Sequence, residues 1–107
     1  MDLYKYLYLH LPSSNNTRTM VAGEIIAQVE RLTHDRLTYF VRVGYIKPRK
    51  VKHGTLYYNE FSQEDLEIIK RAWEYITLSD MRVRAAFEKA KKEVEDLQLR
   101  LPLRANR

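Results

Sequence analysis

The spacing of hydrophobic residues changes along the chain, and each change predicts an element. In the first eleven residues Leu3, Leu7, Leu9 and Leu11 share one face with Lys5, while Tyr4, Tyr6, Tyr8 and His10 share the other. Period two with aromatic enrichment predicts a strand. Pro12 ends it, and Ser13 to Thr17 form a polar hinge. The sequence leaves open whether this strand pairs within the domain, pairs with another subunit, or stands as an appendage. Val21, Ile25, Ile26 and Val29 then recur at helical spacing, which predicts a short amphipathic helix from Met20 to about Arg31. Thr33 is placed to cap a second helix, Thr33 to Val43. In that helix Leu37, Phe40 and Val41 should face inward, and Asp35, Thr38, Tyr39 and Arg42 outward. Gly44 follows as a left-handed C-terminal cap.

Beyond Gly44 two arms rich in Tyr, Ile, Val, Thr and Phe flank Lys52-His53-Gly54, a pattern that predicts a β-hairpin with Pro48 confining its first arm to an edge. Ser62 followed by Glu64 and Asp65 marks a helix start, and Leu66, Ile69, Trp73 and Ile76 give its apolar face, with Trp73 read as core. Thr77 to Asp80 should break that helix, and Ser79 should cap the next. The last helix carries Val83, Phe87, Ala90, Val94, Leu97 and Leu101 at heptad spacing. Pro102 is expected to stop it and leave a frayed tail. The predicted divisions are 1–19, strand and hinge; 20–80, helix-turn-helix with a hairpin; 81–101, a C-terminal helix; and 102–107, a tail. The fold class is mainly α: a winged helix-turn-helix with a β-hairpin wing, a four-helix core, a longer C-terminal helix and an extra N-terminal strand.

Composition narrows the function. The 107 residues suit one domain, and 45% hydrophobic content supports a real but small core. The absence of cysteine excludes disulfides and thiolate metal sites. No stretch approaches a membrane span and the N-terminus is a poor signal peptide, so a cytoplasmic protein without a membrane partner is expected. The net charge is +5, and the excess is local: Arg42 to His53 holds five Lys or Arg in twelve residues with no carboxylate. Such a block points to a polyanion partner.

The run "LTHDRLTYFVRVGYIKP", followed by the basic hairpin and "SQEDL", resembles the DNA-binding domain of the MerR family of transcription regulators. Thr33 stands at the position of the family's capping Ser, Leu37 at its core Leu, and Tyr39 and Phe40 at its aromatic pair. Gly44, Ile46, Pro48, Phe61, Ser62, Asp65 and Leu66 match their counterparts. The resemblance covers about residues 20 to 85. It departs at Thr38, where the family often has a DNA-contacting Arg, at Asp35, where a basic residue is common, and at Leu56, in place of the wing's Arg. The resemblance implies dimers on pseudo-palindromic duplex DNA. A small-molecule effector domain is not expected within these residues, and without cysteine the family's thiolate metal sensing has no ligands here.

Double-stranded DNA is therefore the expected partner of a homodimeric transcription regulator. Arg49, Lys50, Lys52 and His53 on the hairpin suit phosphate contacts, with Arg18, Arg36 and Arg42 flanking. His34, Asp35, Thr38 and Tyr39 would face base edges and phosphates in the major groove. Val83, Phe87, Ala90, Val94, Leu97 and Leu101 would form the dimer seam. Neither an enzyme nor a cofactor is expected: there is no phosphate-cradling glycine loop, and no His pair at metal-binding spacing. Two other readings are an excisionase-like architectural DNA-binding protein and a protein-interaction scaffold built on a helix-turn-helix remnant.

Overall fold

The computed structural model describes residues 19–105, with side chains described as far as Gln98. The Leu/Tyr alternation of residues 3–11 thus lies outside the described residues. The described chain is mainly helical with a small antiparallel sheet. In order it forms β1 (Thr19–Met20), α1 (Ala22–Gln28), α2 (His34–Val43), β2 (Arg49–His53), β3 (Leu56–Ser62), α3 (Gln63–Leu78) and α4 (Val83–Ala105). The sheet order is β1-β3-β2.

Helix α1 is shorter than its periodicity predicts. Met20, read as the first helical residue, instead pairs with Phe61 across β1 and β3 and is buried there. Val21 is the extended N-cap residue and is exposed; its N–H donates to the Glu24 carboxylate at 3.0 Å. At the other end Val29 turns extended and Arg31 adopts φ 70°, so the chain reverses before Leu32 re-enters the core. Tertiary pairing and a tight turn override local helical spacing here.

Helix α2 follows its sequence signals closely. The Thr33 hydroxyl accepts the Arg36 N–H at 3.2 Å. At the far end Gly44 has φ 98°, which a side chain would disfavour. The Gly44 N–H reaches the Val41 carbonyl at 3.1 Å and the Tyr45 N–H reaches that of Phe40 at 2.9 Å, a Schellman closure. Leu37 and Phe40 are buried and Val41 is half-buried.

The hairpin register runs from Arg49 opposite Glu60 to His53 opposite Leu56, leaving Gly54 and Thr55 as a two-residue loop. Gly54 takes φ 71°, the positive value such a loop needs at its first position. Pro48 directly precedes β2, which is an edge strand, so its missing N–H removes no ladder bond.

At the start of α3 the Ser62 hydroxyl accepts the Asp65 N–H and the Asp65 carboxylate accepts the Ser62 N–H, each at 3.0 Å. Helix α3 then continues to Leu78, through the predicted break. Thr77 is helical, its hydroxyl donating back to the Trp73 carbonyl at 2.8 Å and so finding a partner within the helix. Ser79 closes α3 rather than capping α4, because its N–H bonds to the Tyr75 carbonyl at 3.1 Å and Asp80, at φ 56°, turns the chain. Helix α4 runs past Pro102 to Ala105. Proline's fixed φ is compatible with a helix, but at this position the ring removes the bond to the Gln98 carbonyl and crowds it, so only the last turn continues beyond it.

The core joins Met20, Ile25, Leu37, Phe40, Phe61 and Ile69 from the sheet and α1 to α3 with Phe87 from α4. Ile68 and Ala72 are buried as well, although their spacing placed neither on the inner face of α3. Helix α4 packs along α3 and covers that flank. Trp73, read as core, is half-buried at the rim. Its ring N–H donates to the Glu30 carbonyl at 2.9 Å and fastens the α1–α2 turn to α3.

A polar lattice crosses the same α3–α4 interface. Arg71 bonds Glu67 at 3.0 Å and Glu93 at 3.2 Å, the Tyr75 hydroxyl donates to Glu93 at 2.6 Å, and Lys89 lies 3.4 Å from Glu93. The Tyr75 hydrogen bond, helped by Arg71 and Lys89 and opposed by partial desolvation, holds the Glu93 carboxyl below its ordinary range. The same bond raises the Tyr75 hydroxyl above its own. A lowered carboxylate pKa contributes stability that is full above the unfolded value and lost as pH falls through the folded one. A raised phenol pKa contributes stability present below the unfolded value and lost as pH rises through the folded one. Glu93→Gln should therefore reduce stability by about 1 kcal/mol near neutrality, because it breaks charged hydrogen bonds at a partly solvated site. The difference from wild type should shrink in acid and again in strong alkali. Urea titrations across pH would measure it; a difference independent of pH would mean that the Glu93 charge plays no part.

Candidate nucleic-acid interface

Two elements that follow one another in the chain carry the candidate contacts. On α2, Asp35, Thr38 and Arg42 lie on the side opposite buried Leu37 and Phe40, with His34 and Arg36 flanking the buried face; all five are exposed. Tyr39 is half-buried: it lies edge-on to Tyr45, with centroids 6.4 Å apart, and under the Arg42 guanidinium at 5.9 Å. The ring thus supports the helix and orients Arg42 at the same time.

Helix α2 is fixed from below by an aromatic cluster. The Phe87 ring meets Phe40 edge-on at 4.9 Å and stacks on Tyr45 at 5.3 Å with 4° between the planes. Phe40 also packs against Trp73 at 6.2 Å. Residues within α2, just after it, on α3 and on α4 therefore converge behind its exposed face. Rigid support of this kind lets a surface helix present side chains in a defined geometry.

The chain leaves α2 at Gly44 and enters the hairpin at Arg49. The pleat divides the basic residues. Arg49 and His53 fall on the face that also holds Val51, Tyr58 and Glu60, while Lys50 and Lys52 share the other with Tyr57 and Asn59. All four basic candidates are exposed, but Arg49 has a partner: its guanidinium is 3.1 Å from the Glu60 carboxylate. Lys50 and Lys52 make no ion pair among the described residues, and the Lys52 ammonium lies 6.0 Å from the Tyr57 ring centre. His53 meets Tyr58 edge-on at 6.2 Å. Arg18 lies outside the described residues.

The exposed Leu56, Tyr57 and Tyr58 at the hairpin tip were not among the sequence-derived contacts. A usable signal was present: "TLYYNE" puts apolar or aromatic side chains on both faces of one strand, more than a one-sided core can cover.

The heptad seam is largely occupied within the chain. Phe87, Ala90 and Val94 are buried and Val83 is half-buried, all against the chain's own core, so the expectation that these residues form a dimer seam is corrected. Helix α3 packs along α4, and its buried Ile68 and Ala72 belong to the same core cluster. Leu97 is 38% exposed, and Leu101 lies beyond the residues whose side chains are described.

Among the described residues no group of His, Asp and Glu could hold a metal ion, and no helix is long and apolar enough to cross a membrane. The arrangement offers guanidinium, ammonium, imidazole and hydroxyl groups to an acidic, hydrogen-bonding surface. Comparison with family models, curated proteins and solved structures found no match to this chain.

Proposed function

We propose that the protein is a DNA-binding transcription regulator of winged helix-turn-helix type, similar to the MerR family. On this reading α2 enters the major groove and the β2–β3 hairpin acts as a wing on the phosphates. The observation that carries it is the exposure, on two elements consecutive in the chain, of a polar helix face and a strand whose cations face no carboxylate except Glu60. Arg36, Arg42, Lys50 and Lys52 supply affinity and register, because each phosphate contact releases condensed counterions. His34, Asp35 and Thr38 supply base discrimination. The deciding experiment measures binding to random-sequence duplex DNA at several salt concentrations, then selects preferred sites from a randomised pool. Steeply salt-dependent binding with a selected site supports the reading; no binding at low salt removes it.

The active form proposed is a homodimer joined through the distal end of α4. Leu97 supports this, since it continues the seam beyond Val94 and is only partly covered. Val94 is an unsuitable probe because it belongs to the domain core. Leu97→Glu should leave the thermal midpoint nearly unchanged, shift sedimentation from dimer to monomer, and weaken DNA binding by at least about tenfold through the drop in effective concentration. A wild type that sediments as a monomer at tens of micromolar favours the architectural, excisionase-like mode of binding.

A further inference from the structure

The hairpin tip carries more apolar surface than a phosphate clamp requires. Leu56 is 72% exposed, Tyr57 64% and Tyr58 36%, and they follow directly on the Gly54-Thr55 loop. No other stretch of the described chain exposes three consecutive large apolar residues. Around them stand Lys50, Lys52 and His53, and between Arg49 and Asn59 there is no carboxylate. Glu60, the nearest acid on the strand, is held by Arg49. Tyr57 keeps its exposure even with the Lys52 ammonium near its ring.

An exposed ring on the same sheet face as two unpaired lysines matches one chemical class of ligand: a polyanion that also offers flat apolar faces. Phosphate oxygens account for the lysines and leave Leu56 and Tyr57 unexplained. An intact duplex hides its base faces within the stack, whereas unpaired nucleotides expose them, and every base has a face on which an aromatic side chain can stack. We propose that the hairpin tip is a base-contacting element in which Tyr57, on the sheet face it shares with Lys50 and Lys52, stacks on an unpaired nucleotide while Leu56 borders the tip on the other face. The protein then prefers DNA with locally unpaired bases over a fully paired duplex. This inference rests on the DNA-binding reading above and adds the structural class of DNA that the site takes.

The test compares a paired duplex with the same duplex carrying a two-nucleotide mismatch bubble, for wild type and for Leu56→Ser/Tyr57→Ser. Both substitutions lie at an exposed tip, and circular dichroism verifies that the variant is folded. Wild type should bind the bubble about tenfold more tightly, the magnitude of one aromatic–base stack. The variant should bind both DNAs alike, with an unchanged dependence on salt because its lysines remain. Equal wild-type affinity for both DNAs overturns the inference and leaves the DNA-binding reading standing. A preference that persists in the variant also overturns it. Absence of binding to either DNA at low salt overturns both.

Discussion

Phe87→Ala is expected to be the most destabilising single truncation outside α2, lowering stability by about 3–5 kcal/mol. The ring is buried and meets Phe40 and Tyr45 in two geometries, edge-on and stacked. Its removal leaves a cavity bounded by residues of different elements, which cannot all close on it together. A domain of this size has roughly 5–15 kcal/mol in total, so the loss is a large fraction and corresponds to a midpoint lower by roughly 20 °C. The effect should reach beyond stability. Tyr45 follows the α2 cap directly and Phe40 lies within α2, so loosening Phe87 frees the helix that carries the candidate base contacts. Thermal denaturation measures the first effect, and amide exchange along α2 the second. A midpoint shift of only a few degrees would mean that α4 does not clamp α2. Phe87→Leu, which keeps part of the apolar volume, should fall between the two.

The second large effect concerns the wing. Replacing Arg49, Lys50 and Lys52 together by Ala should weaken binding to all duplex sequences alike. The slope of log affinity against log salt should fall by about 0.9 for each phosphate that the variant no longer neutralises. The structure refines that expectation, since Arg49 already faces Glu60 at 3.1 Å and gives up a local partner if it turns to phosphate. A surface pair of that kind contributes roughly 0–1 kcal/mol, so the competition weakens the grip of Arg49 on phosphate without abolishing it. The slope should therefore fall by between about 1.8 and 2.7, with Lys50 and Lys52 accounting for most of it. At about 50 mM salt two fewer neutralised phosphates amount to roughly a hundredfold in affinity. The substitutions remove exposed side chains only, and the hairpin register they leave is unchanged in principle. An unaltered salt slope in the folded variant would show that the hairpin does not touch the backbone.

Elements set by local chemistry were legible. Thr33, Gly44, Ser62 with Asp65, and Gly54 each perform the cap or turn that their residue types suggested, because those hydrogen bonds and φ values involve residues within a few positions of one another. Leu37, Phe40 and Ile69 are buried as their spacing predicted. The errors arose where two signals competed for one residue. Met20 satisfied the start of a helix but pairs in a sheet, and Ser79 is a good N-cap type that ends the preceding helix. Thr77 looked like a breaker yet stays helical, with its hydroxyl bonded back to the Trp73 carbonyl. In the candidate interface, helical periodicity along α2 separated the outward positions from the buried ones. It had no means of showing that Arg49 is paired with Glu60, because that depends on the hairpin register.

The sequence by itself determined the order of the elements, most of their caps, the basic block on one hairpin arm and the outward face of α2. Periodicity, φ preference and charge are properties of short segments, so they survive without knowledge of the fold. Only the tertiary structure decided that Ala90 and Val94 pack within the chain, that Trp73 sits at a rim, and that Glu93 gathers Arg71, Tyr75 and Lys89 across two helices. A heptad stripe records that a helix must bury one side. It carries no record of whether the covering surface belongs to the same chain, since Ile68, Ala72 and a second copy of α4 are equivalent as apolar cover. That choice follows from where the α3–α4 turn sends the chain, a turn in which Ser79 and Met81 both bond to the Tyr75 carbonyl and Asp80 takes the left-handed region.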